Sequence, residues 1–98
     1  MTFTKQQRHD QLSKRFWDAK AKYKFYQQAC QTQYQAVCMK LNTMLTDKLA
    51  SETARTDIAL DLVDREWIYQ RDLAYLERAY IQELRLLQRD FAQLIALT

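Results

Sequence analysis

The chain has 98 residues and a net charge of +3, 48% of its residues are hydrophobic, and it contains neither glycine nor proline. That is enough apolar material to pack one domain and too much for a disordered segment. Sheets and long loops draw on Gly and Pro for their turns, so their absence, with many Ala, Leu, Gln, Arg, Lys and Glu, predicts an all-α protein with very few connections.

The first element starts at "TKQQ". Thr4 and Gln7 have the spacing of a capping box, in which each side chain satisfies a free backbone N–H of the first turn. Leu12, Phe16, Ala19, Tyr23, Tyr26, Cys30, Tyr34, Val37, Leu41 and Leu45 then follow in steps of three and four. This single apolar stripe predicts helix one over about 4–49. Leu12, Tyr23, Tyr34 and Leu45 recur every eleven residues, which favours a straight or slightly right-handed path over a tight left-handed supercoil.

Residues 15–26, "RFWDAKAKYKFY", divide between two faces of that helix. Phe16, Ala19, Tyr23 and Tyr26 belong to the stripe. Trp17 and Phe25 lie on the far side, with Lys14, Ala21, Lys24 and Gln28 around them and Met39 further along. Large aromatics among Lys and Gln point either to a partner surface or to a second core contact inside an oligomer. Arg8, Arg15 and Lys22, seven residues apart, flank the stripe and are placed to meet acids on a neighbouring helix.

The pattern fades at "TDKLASETARTD", where Thr, Ser and Asp favour caps and turns over helix interiors. Ser51, Thr53 and Thr56 are candidate caps, and the turn is expected inside about 48–56, near Ser51. Asn42 and Thr43 form a weaker break.

Helix two is expected over about 54–96. One stripe is Leu73, Leu76, Tyr80, Leu84, Leu87, Phe91 and Leu94; beside it runs Leu60, Val63, Trp67, Ala74, Ile81 and Ile95. Together they are wider than one partner helix can cover. The expected fold is a single helical domain over residues 1–98: a long antiparallel helical hairpin, completed to a four-helix bundle by dimerisation or by docking on a partner.

Charge is uneven along the chain. Residues 1–50 hold nine Lys or Arg and three Asp, and residues 51–98 hold six Arg and nine acids. An antiparallel hairpin lets the halves neutralise, setting Lys20 near Glu83, Asp18 near Arg85 and Lys40 near Asp61 or Asp64. Arg71, Arg78 and Arg85 follow Asp64 at seven-residue steps, a flank suited to ion pairs across a bundle.

Catalytic chemistry finds little support. His9 is the lone histidine, near a fraying end, and no Glu-x-x-His pair exists for a bundle metal site. Cys30 and Cys38 on one helix lie about 12 Å apart, too far for a disulfide, and lack zinc-ligand spacing. Asp57, Asp61 and Asp64 share a face that reads as solvated or as partners for lysines. No phosphate-cradling glycine loop, apolar signal core or membrane-length apolar run is present. The expectation is a cytoplasmic, non-catalytic protein with no cofactor, metal, membrane or small-molecule substrate. It acts as a small helical regulator, inhibitor or chaperone that docks on a larger protein assembly, through Trp17, Phe25, Lys14, Lys24, Ala21 and Gln28. The alternative is a nucleic-acid-associated regulator using Lys14, Lys20, Lys22 and Lys24 for phosphate contacts.

Overall fold

The structure, a computed structural model, describes residues 4–97. Helix α1 spans Lys5–Leu45 and helix α2 spans Glu52–Ala96. They form an all-α antiparallel hairpin.

The capping box forms as its residues dictate. Thr4 N–H donates to Gln7 Oε1 at 2.9 Å, and Gln7 N–H donates to Thr4 Oγ1 at 3.1 Å. Two donors left free by the helix start are thereby satisfied.

Helix α1 ends at Leu45, the last residue of the stripe and short of the expected end near residue 49. The cause is a run of hydroxyls that bond back along the chain: Thr43 Oγ1 to the Met39 carbonyl and Thr46 Oγ1 to the Thr43 carbonyl, both at 2.9 Å. Such bonds compete with helix continuation. Asp47 then turns the chain. Its carboxylate accepts the Leu49 N–H at 3.0 Å, and its carbonyl accepts the Ala50 N–H at 3.2 Å. No described residue takes a positive φ, so the connection is made without the conformation that glycine supplies.

Ser51 starts α2. Its hydroxyl accepts the Ala54 N–H at 3.1 Å, and its carbonyl accepts the Arg55 N–H at 3.0 Å. The Arg55 guanidinium reaches back to the Asp47 carbonyl at 3.1 Å, tying the cap to the turn. Ser51→Ala is expected to lower stability by about 1 kcal/mol, read as a lower urea midpoint. An unchanged midpoint would show that Asp47 and Arg55 hold the turn alone.

The chain divides into two compact units. One joins the segment up to Tyr26 with the segment from Leu76 onward; the other is Gln27–Tyr75. In the first, Leu12, Leu87 and Leu94 are buried, with Phe16 and Phe91 packed against them. Tyr23 stacks on Tyr80 at 4.5 Å, and His9 meets Phe91 edge-on at 5.7 Å. Beside these contacts is an open groove of about 460 Å³, lined among others by Arg15, Lys22, Tyr26, Ala79 and Glu83. In the second unit Tyr34 stacks on Tyr69 at 4.3 Å, and the Tyr34 hydroxyl donates to Glu66, which also accepts from Gln70 at 3.1 Å. None of its described residues is fully buried; Val37, Leu41, Leu62, Ile68 and Leu73 are half-buried.

The register that sets Lys20 opposite Glu83 also sets Tyr23 opposite Tyr80 and Tyr34 opposite Tyr69, and both tyrosine pairs form. The ion pairs expected from it do not. Lys20 turns back over the Trp17 ring of its own helix, 5.1 Å from the centroid, and Glu83 is taken by Arg15. Asp61 pairs within α2 with Arg65 at 3.5 Å, one helical turn away, where little side-chain ordering is needed. Neither Asp18 with Arg85 nor Lys40 with Asp61 or Asp64 forms a pair among the described residues.

On α1 the inward stripe is that of the sequence except at Tyr26, 45% exposed beside the open groove. On α2 the half-buried Leu62, Ile68 and Tyr69 of the second unit lie outside both stripes of the sequence. On α2 every residue of the Leu73–Leu94 stripe is buried or half-buried. In the neighbouring stripe Ala74 is half-buried, while Leu60, Val63, Trp67, Ile81 and Ile95 are exposed. One partner helix does not cover the full apolar arc.

Candidate docking surface

Trp17, Ala21 and Phe25 are spaced by four along α1 and form a row on one helix face. The two rings stand about 12 Å apart along the axis, with the small Ala21 between them leaving a notch. Both rings face solvent, Trp17 at 60% and Phe25 at 66% exposure.

Neither ring is loose on the surface. Trp17 packs edge-on against Phe16 at 5.2 Å, and Phe16 is itself anchored on the leucine core. Phe25 packs edge-on against Tyr26 at 5.5 Å. Lys20 over Trp17 braces that ring from a second side. Aromatic groups fixed before contact lose little conformational freedom on binding.

Lys14 and Lys24 are exposed beside the row. Gln28, in the second unit, is exposed on the same helix. The four lysines considered for phosphate contacts are all exposed as well. Lys14, Lys20 and Lys24 fall within about 120° of one another on the side of the aromatic row, and Lys22 alone lies outside that arc. Lys22 lines the groove with Arg15, and Lys20 is engaged with Trp17.

The strongest polar contacts fix the hairpin. Arg15 donates to Asp90 at 3.0 Å and to Glu83 at 3.3 Å. The hydrogen bond to Asp90 is the main cause that raises the Arg15 pKa, and the same bond holds Asp90 below the usual carboxylate range. Glu66 is held low chiefly by the Tyr34 hydroxyl, and Tyr34 is pushed up by Glu66 first and by Cys38 second. Both clusters join the two helices. No group of three or more metal-ligating side chains occurs among the described residues, and no described helix is long and apolar enough to cross a membrane.

The role of Arg15 on the stripe flank was legible from its spacing. The brace of Lys20 on Trp17 was not; the i, i+3 separation was its only signal. No family model, curated protein or solved structure matches this chain.

Proposed function

We propose that the protein is a non-catalytic interaction module, a small helical regulator, inhibitor or chaperone that docks on a larger protein assembly through the Trp17–Ala21–Phe25 row of α1. The observation that carries this reading is the exposure of two braced aromatic rings on a face otherwise lined by Lys, Ala and Gln. An aromatic centre with a cationic rim is the make-up of an interface hot spot. The complementary surface is an apolar cleft that receives the two rings, with acidic residues at its edge for Lys14 and Lys24. The free, half-buried thiols Cys30 and Cys38 suit the reducing cytoplasm.

The test is affinity capture from the native host, with the intact chain and the Trp17→Ala/Phe25→Ala variant as paired baits. A protein held by the first and lost by the second supports docking at this row. Equal recovery on both baits counts against it.

A nucleic-acid reading rests on the basic first half of the chain. It is favoured less because Lys22 lies outside the arc of the other three lysines and Lys20 is engaged with the Trp17 ring, which leaves few free cations on one track. Titration of single- and double-stranded DNA and RNA at low salt decides it. Binding that weakens steeply with salt, and is lost when the four lysines become glutamine, would replace the protein-docking reading. No binding at low salt is the expected outcome.

A further inference from the structure

A second uncovered row lies on α2, inside the Gln27–Tyr75 unit. Leu60, Val63 and Trp67 are 63%, 69% and 61% exposed and fall at i, i+3 and i+7 on one face. Along one flank, at seven-residue steps, come Asp57, Asp64 and Arg71. The Arg71 guanidinium lies over the Trp67 ring, 5.3 Å from its centroid, so the charged flank and the apolar row adjoin. Asp57 and Asp64 form no ion pair among the described residues. Within one helix Asp64 and Arg71 are separated by about 10 Å of rise, too far to pair with each other.

We propose that this face binds a second copy of the chain, α2 against α2 and antiparallel, about a two-fold axis passing beside Trp67. The charge order along the flank in sequence, Asp57, Asp64, Arg71, Arg78, is its own complement when reversed. In a two-fold contact, if one residue faces a second residue of the other copy, that second residue of its own chain faces the first residue of the other copy. An axis beside Trp67 therefore sets Asp64 of each copy opposite Arg71 of the other, twice over. A parallel pairing would set acid against acid and arginine against arginine. The apolar row is covered in the same step: Trp67 meets the region of its own counterpart at the axis, with Leu60 and Val63 to one side. This contact uses a different helix from the Trp17–Phe25 row and does not depend on docking there.

Sedimentation equilibrium on the full chain tests it, with Asp64→Arg, Arg71→Asp and the double exchange beside the unaltered protein. Circular dichroism confirms that each variant is helical. The unaltered chain is expected to form a dimer in a concentration-dependent manner. Each single reversal breaks both symmetric pairs and creates like-charge contacts, so it is expected to weaken dimerisation about tenfold. The double exchange is expected to restore it, because the pairs re-form with their signs swapped. A chain that stays monomeric at high concentration, single reversals that leave dimerisation unchanged, or a double exchange no better than the singles would each overturn this contact. So would a dimer abolished by Trp17→Ala/Phe25→Ala and untouched by the charge reversals.

Discussion

Leu87→Ala is expected to destabilise the chain by about 2–5 kcal/mol, the cost of emptying a well-packed leucine site. Leu87 is 2% exposed and packs with Leu12 and Leu94, the three buried residues of the molecule's described core. With so few buried side chains, neighbouring groups have little means to refill the space, and one leucine is a large share of the unit's burial. Leu84 is half-buried, so Leu84→Ala is expected to cost less. Val63, 69% exposed, serves as the contrast: Val63→Ala under monomeric conditions is expected to change stability by less than about 0.5 kcal/mol. Urea unfolding followed by circular dichroism measures all three. A near-neutral Leu87→Ala would mean that the buried face is not the one assigned.

The Trp17→Ala/Phe25→Ala variant carries the second large effect. Loss of two anchor rings is expected to weaken partner binding by more than about 2 kcal/mol, or roughly thirtyfold in Kd. Melting should change little, because both rings face solvent and only their edges touch Phe16 and Tyr26. Titration calorimetry against the captured partner, paired with a thermal melt, separates the two effects. Charge reversal at Lys14 and Lys24 should act on the association rate, with an effect that shrinks as salt rises. Unchanged affinity in the double alanine variant disposes of the row as a docking site. A large drop in melting temperature would instead identify both rings as structural.

Much of the hairpin was legible because period and capping act locally. The stripe from Leu12 to Leu45 needs only helical geometry to be read. Thr4 with Gln7, and Ser51 as the start of α2, need only side-chain reach to a nearby N–H. The stack of Tyr34 on Tyr69 was not legible, because Tyr69 lies outside both apolar stripes of α2. The end of α1 was harder, because back-bonding by Thr43 and Thr46 and the Asp47 turn are close in energy to one more helical turn. Ion pairs were the least legible. Lys20 had Glu83 across the hairpin and Trp17 on its own helix within reach, and Arg15 had two carboxylates; long flexible side chains choose among such partners by small differences. On the candidate surfaces, the outward position of Trp17 and Phe25 followed from the wheel, while the bracing of their rings depends on side-chain rotamers that the pattern does not specify.

Trp17 and Trp67 are the two tryptophans of the chain and sit on different helices, so each can be observed alone. The most direct measurement of docking at the α1 row is acrylamide quenching of Trp17 fluorescence in a Trp67→Phe variant, with and without the captured partner. Trp17 at 60% exposure should be readily quenched in the free chain and strongly protected in the complex. A complex that forms while Trp17 remains as quenchable as before would contradict docking at this face.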